Sequence, residues 1–453
     1  MQREEFNIET SSRAERNGPQ IVASNDAEDD HGWSRKRFVP QPCGVLRHQV
    51  FVGILIAIVL GIIFICVAFM IAFENEEQLV ATVDLHSVKL PPAQAVWFAA
   101  NLDELYNAVR VSQNARRAKN VVLFVALNQT RHGPSSELDY RPVWESFPHL
   151  ALLRAAQGQR EPFDPTAIFC GIETQPQTLG LDSSVQGPWD VCVEGGGGIN
   201  ETQRASSIVD WAQAVGRRTG LVTNGEIVHA FPASLYAHTP NTDWTYASPD
   251  SKRCETIQSQ LSGGSTGRQL NVIAGSMQGC PGAGDCQRAF ERRWENQKQD
   301  EGEEYRVCTD SVTDLLTVDE VPKHALALYD QQTLAAKGSF HDLTVGAVRM
   351  MDSSEGFLLI AIVDPSVAVS LTELDSTVQE TLRKLSDSRD DSLVVVITAS
   401  SGDRWAAVHA TGPMAHLLHR VHNQTYVAHF VSYAARIGRF RDTDLANFVL
   451  EIF

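Results

Sequence analysis

Val121-Val122-Leu123-Phe124-Val125 places five apolar residues in a row, with no polar residue between them. A strand with one face in water alternates apolar and polar side chains, whereas a strand covered on both faces does not. Just upstream, the stretch 103–116 sets Leu105, Ala108, Val109 and Val111 at helical spacing. Downstream, a helix is expected over 207–215 ahead of Gly220-Leu221-Val222-Thr223. Comparable apolar runs lie at 271–274, 357–363 and 393–398. Strands apolar on both faces and separated by helices predict an α/β fold, a mostly parallel sheet covered on each side. The stretch 278–305, rich in Gly, Gln, Glu and Arg, reads as an irregular surface excursion. No internal repeat is apparent.

A different apolar run spans 50–73 and includes Ile54, Leu55, Ile56, Ile58, Val59 and Leu60, with no charge in it. At about 1.5 Å per residue, some twenty such residues cross a hydrocarbon layer about 30 Å thick. A secretory signal has a shorter apolar core near the terminus, and this run starts fifty residues in. It predicts one transmembrane helix. Arg35, Lys36, Arg37 and Arg47 precede it, and Glu74, Glu76 and Glu77 follow. Basic flanks stay cytoplasmic, so the expected topology is single-pass type II, in the cell membrane or a secretory-pathway membrane. The division that follows is a disordered cytoplasmic tail over 1–48, the span over 50–73, a juxtamembrane linker over 74–92, and a folded ectodomain over 93–453. Acceptor sequons at Asn128, Asn200 and Asn423 agree with an extracellular or lumenal location.

Cys43 and Cys66 lie in the tail and the span. Cys170, Cys192, Cys254, Cys280, Cys286 and Cys308 fall outside, an even number that reads as disulfides in an oxidising compartment. No Cys-x-x-Cys pair suggests a zinc knuckle. The formal charge of −17, without a basic stripe, argues against a nucleic-acid partner and suits solubility.

Several segments together resemble the alkaline phosphatase family in its animal form. They are Ala118-Lys119-Asn120-Val121-Val122-Leu123-Phe124, Ile168-Phe169-Cys170-Gly171, and Ile208-Val209-Asp210-Trp211-Ala212. The stretch 219–238, TGLVTNGEIVHAFPASLYAH, is similar to that family's segment carrying His-Ala-Thr-Pro. Gly412-Pro413-Met414-Ala415-His416-Leu417-Leu418-His419, followed by Val421-His422, is the strongest match. The resemblance covers about 95–438. It implies a three-layer sandwich around a mostly parallel sheet, a dimer, and a first disulfide joining Cys170 and Cys192. It also implies hydrolysis of phosphate monoesters by a serine, with a phosphate-holding arginine, two zinc ions and one magnesium ion. Paired metals clamp the attacking and leaving oxygens and acidify serine and water.

Position by position, those groups are missing. Where the family's first strand ends in a metal-binding Asp, this chain has Leu127. Counting back from Cys170-Gly171 puts Arg160 and Glu161 at the nucleophile. The phosphate-binding arginine falls near Gly196, within a glycine run. His229 is retained, but the Thr expected two residues on is Phe231. The Glu and Asp ligands after the Phe357 strand read Ile362 and Val367, and Thr-Ala-Asp-His reads Thr398-Ala399-Ser400-Ser401. The resemblance therefore implies the scaffold without the reaction and without zinc or magnesium. The expectation is a pseudophosphatase with an interaction role, as a homodimer or paired with an active relative. The alternative is a weakly active alkaline phosphatase with rearranged ligands.

Other motifs carry less. Gly263-Gly264-Ser265-Thr266-Gly267 matches the serine-hydrolase elbow, but a polar helical stretch precedes it and a loop is expected. The glycines at 195–198 read as a flexible loop, not a phosphate cradle. His416, His419 and His422 read as packing or interface residues. Asp364 and Asp403 are stray carboxylates near strand ends, with no basic or His partner beside them in sequence.

Overall fold

The computed structural model describes residues 52–65, 67, 91–129, 140–155, 162–187, 198–248, 254–282, 284–309, 311–317, 320–336, 338–367 and 369–441. The chain divides into two compact units, Met1–Ala95 and Val96–Phe453. In the first, the backbone is helical over 52–65 with Ile54, Leu55, Leu60 and Phe64 exposed. Among the described residues no helix is long and apolar enough to cross a membrane. The rest of the 50–73 run, the 1–48 tail and residues 74–90 lie outside the described residues.

The second unit is built on one ten-stranded sheet. Its strands are β1 (Asn120–Gln129), β2 (His149–Arg154), β3 (Arg218–Glu226), β4 (Val272–Ser276) and β5 (Tyr305–Cys308). β6 (His324–Leu328), β7 (Phe357–Ile362), β8 (Ser392–Ser400), β9 (Trp405–Thr411) and β10 (Arg420–Asn423) complete it. The order is β10-β2-β9-β8-β1-β7-β3-β4-β6-β5. Only β9 runs against its neighbours, pairing antiparallel with β2 and β8.

Among the described residues from 91 onward, the α-helices of six residues or more are α1 (Pro92–Val109), α2 (Pro165–Cys170), α3 (Ile208–Gln213) and α4 (Ile257–Gly263). They continue with α5 (Asp285–Asp300), α6 (Ser339–Met350), α7 (Leu371–Lys384) and α8 (Tyr426–Ala435). The apolar run of β1 explains the layering. Val121, Leu123, Val125 and Leu127 face one core with Ile168, Ile208, Leu261, Trp294 and Val431 from α2, α3, α4, α5 and α8. Val122, Phe124 and Ala126 face a second core with Phe340 and Leu343 of α6 and Val378 of α7. Two buried faces leave no polar position in the strand, hence the unbroken run. The result is the expected three-layer α/β sandwich.

Two expectations are corrected. The helix expected over 103–116 instead spans Pro92–Val109. Pro92 suits a first turn, whereas Asn114 leaves the helical path: its carbonyl accepts from Met414 N and its side chain donates to Asp390 O. The stretch 278–305 is not irregular, because it holds the 16-residue α5. The helix is so polar that it buries one narrow stripe, Phe290, Trp294 and Lys298, at fourfold spacing. The Lys298 ammonium reaches Arg268 O at 2.6 Å and Glu301 at 3.3 Å, which satisfies a charge that burial would otherwise penalise.

Candidate functional site

At the carboxyl ends of β1, β3 and β7, three parallel strands in register, Val125 stands beside Ile362 and Thr223 beside Ile362. A cleft of about 360 Å³ opens there, lined by Leu127, Phe163, His229, Phe231, Ile362 and Asp364 among others. Leu127 is 3% exposed and Ile362 3%, so both present hydrocarbon, not donors, to the cleft floor. Phe231 stands edge-on to Phe169 with centroids 6.5 Å apart.

The polar element is a pair far apart in sequence. His229 Nδ1 lies 3.0 Å from Asp364 Oδ2. Asp364 is 6% exposed and its other oxygen accepts from Ser366 N at 2.8 Å and from the Ser366 hydroxyl. Asn224 of β3 holds the loop in place: its side-chain oxygen accepts from Asp364 N at 2.8 Å, and its amide donates to Val367 O at 3.3 Å. Gly225 is required beside this loop, since a Cβ there would sit 2.0 Å from Asp364 Oδ2. Burial raises the Asp364 carboxyl, but hydrogen bonds from His229 and Ser366 outweigh it and leave it below the ordinary value. The same hydrogen bond to Asp364 raises His229 above its usual value, against partial desolvation and with help from the Glu226 charge. His229 Nε2 lies 3.9 Å from Glu226 Oε2. Glu226 itself accepts from Tyr246 at 3.0 Å and from Gly279 N at 2.6 Å.

The structure brings Leu127, His229, Phe231 and Ile362 together as one lining and sets Val367, 7% exposed, in the adjoining loop. Ser400 lies at the end of β8 beside Gln129 of β1, and the exposed Ser401 follows in the turn closed by Asp403; neither lines the cleft. Glu161 and the glycines 195–197 lie outside the described residues. Asp364 is not the stray carboxylate that the sequence suggested: its histidine is 135 positions away. Only Asn224-Gly225 hinted at a close approach of backbone there. Two donors tied to each other do not fit the zinc and magnesium set of the resemblance, which asks for several carboxylates and imidazoles. Among the described residues no group of three or more His, Cys, Asp or Glu side chains converges as a metal site.

The cysteines differ from expectation. Cys170 is a free thiol, buried at the end of α2 with its sulfur 3.8 Å from Ser234 O, so the pairing with Cys192 is not made. Burial pushes that thiol well above its ordinary value. Cys254 is disulfide-bonded to a partner outside the described residues, Cys192 itself is undescribed, and Cys280 joins Cys286. Cys308 is free and buried. Of the sequon asparagines, Asn200 and Asn423 are exposed, and Asn423 donates to Glu173 at 3.2 Å. The Asn128 side chain is not described. The hydrolase-like Ser265 opens a short helix directly after α4, without the preceding strand an elbow needs, and starts a helical turn instead of lying in a loop.

A family model described as alkaline phosphatase matches residues 142–360. A membrane-bound alkaline phosphatase of Bombyx mori is 27% identical over 292 residues, covering 54% of this chain and 52% of that protein. Over that stretch the chain is similar to alkaline phosphatases. Alkaline phosphatase 4 of Drosophila melanogaster is 26% identical over 229 residues, 42% of this chain and 35% of that protein. The tissue-nonspecific isozyme of Felis catus is 29% identical over 196 residues, 38% and 35% of the two chains. The matches thus span about half the length of these relatives or less. Among solved structures, the alkaline phosphatase of the Antarctic bacterium TAB5 superposes with a TM-score of 0.53 at 16% identity, over 72% of this chain and all of that one. A cold-active alkaline phosphatase of a psychrophilic Shewanella gives 0.51 at 13% identity, over 70% and 99%. At such identities the likeness is one of fold.

Proposed function

We propose that this alkaline phosphatase relative is a membrane-anchored pseudoenzyme whose folded unit acts by binding, as a homodimer or with an active relative. One observation carries the reading. Leu127, Phe231 and Ile362, the positions that correspond to the family's ligands, make a hydrocarbon lining at the strand ends. Removal of one strong contact from a preorganised electrostatic site typically costs on the order of a hundredfold or more in rate. Here several are replaced together. By sequence count Glu161 corresponds to the nucleophile, and a carboxylate in that role would repel a phosphate dianion. The uncharged run 50–73, helical over its described part and flanked by basic then acidic residues, supports a type II anchor in the cell or secretory-pathway membrane.

The alternative, a weakly active phosphatase, draws on the His229–Asp364 pair, a proton acceptor facing the same cleft. Turnover of p-nitrophenyl phosphate at alkaline pH by the purified full chain, with zinc and magnesium supplied, separates the two. The pseudoenzyme reading expects no hydrolysis above a mock preparation. Chelator-sensitive turnover would establish the alternative.

A further inference from the structure

The cleft that replaces the family's metal centre is itself a shaped cavity. Its described lining is mostly aliphatic and aromatic, with the hydroxyls of Thr223 and Ser366 and with three prolines, Pro165, Pro232 and Pro365, stiffening the walls. At about 360 Å³ it falls at the small end of the range for sites that hold organic ligands. Its only ionisable groups among the described lining residues are His229 and Asp364, which neutralise one another at 3.0 Å. Asp364 is engaged by His229 and Ser366, so its carboxylate has little capacity left for a ligand. The His229 ring is half exposed; with Nδ1–H held by Asp364, its Nε2, 3.9 Å from Glu226 Oε2, accepts in the neutral ring and donates in the imidazolium form.

Among the described lining residues a phosphate or a metal would find no unpaired charge, and an aliphatic chain would leave the histidine edge unused. We propose that the cleft binds a neutral, ring-bearing small molecule of one or two rings. The rings pack between Phe163, Phe231 and Ile362, and one hydrogen-bond acceptor meets His229 Nε2. Binding of such a ligand gives the scaffold a chemical input at the position the family uses for catalysis. The inference rests on the reading that no metals occupy the strand ends, and it names the ligand class for that site.

Benzophenone, a neutral two-ring ketone that photocrosslinks to nearby C–H bonds, is a suitable probe. The full chain in membranes is irradiated with increasing benzophenone, and labelled peptides are mapped by mass spectrometry. Peptides carrying Phe231 and the Ile362–Pro365 region should be labelled saturably, whereas partition into lipid labels 50–73 without saturation. Ala230→Trp, which fills the cleft from its half-buried rim, should abolish the cleft label and leave the 50–73 label unchanged. His229→Phe keeps the ring shape but removes the donor, and should raise the half-saturating concentration roughly tenfold below the folded pKa of His229, the worth of one hydrogen bond from a charged donor. Matching thermal unfolding of the variants shows that they are folded. Cleft peptides without label, or label that never saturates and ignores Ala230→Trp, would overturn the ligand proposal while leaving the absence of catalysis standing. Stoichiometric zinc together with ester turnover would overturn both readings.

Discussion

Gly225 is the residue on which the cleft geometry is most sensitive. Its backbone lies against Asp364, and a methyl group there would sit at 2.0 Å from a carboxylate oxygen. Gly225→Ala should destabilise the chain by about 1–3 kcal/mol, as overpacking does, read from the denaturant midpoint; an unchanged midpoint would mean the loop is free to move aside. The His229–Asp364 pair predicts a pH signature. Asp364 is held below its unfolded value of 3.8, so its contribution is present above about pH 4 and lost as pH falls through the folded value. His229 is held above its unfolded value of 6.5, so its contribution is complete below that and lost as pH rises through the folded value. Asp164 works in the opposite sense, since burial raises it from 3.8 to about 6 and stability falls as pH rises across that interval. The difference between the native chain and His229→Gln removes the Asp164 effect. It should be largest between about pH 4 and 6.5 and small in size, because His229 is half exposed. A difference that is flat with pH would rule out the ion pair. This pair was not legible in the sequence, because nothing local marks two groups 135 positions apart as neighbours.

At the scale of elements, five of the ten strands were legible. β1, β3, β4, β7 and β8 announce themselves as apolar runs because each is covered on both faces. Among the elements that escaped, α5 has a mean composition so polar that its buried stripe of three residues is lost in the average. That stripe is nonetheless decisive for its docking. Trp294 is fully buried, edge-on to Tyr305 with centroids 5.9 Å apart, so Trp294→Ala should cost about 3–5 kcal/mol. A loss below about 1 kcal/mol would show that α5 contributes little to the fold. The disulfide at the start of this helix makes a covalent prediction. Peptide mapping without reduction should join Cys280 to Cys286 and find Cys170 as a free thiol. A Cys170–Cys192 crosslink would restore the pairing that the family resemblance implies. That pairing was misjudged because the resemblance fixes Cys170 in sequence but does not show its thiol turned into the core toward Ser234.

For the whole molecule, the account holds that packing and chemistry have separated. On the proposed reading the core residues of a three-layer fold remain, while the strand ends that correspond to the family's ligand positions line the cleft with hydrocarbon. The cleft lining was legible in the sequence at Leu127 and Ile362, which lie in the apolar strands β1 and β7, and at Phe231, which follows β3. Ser400 and Ser401 were placed less well, since the turn after β8 draws them away from the cleft. A type II topology predicts glycans on the exposed Asn200 and Asn423, seen as a mobility shift on glycosidase treatment; digestion of the carboxy-terminal part from the cytosolic side of sealed microsomes would contradict it. The most direct test of the central claim is the zinc content of the full chain purified after growth in zinc and dialysis. Well under one ion per chain is expected, and two tightly held ions per chain would show that the metal site persists.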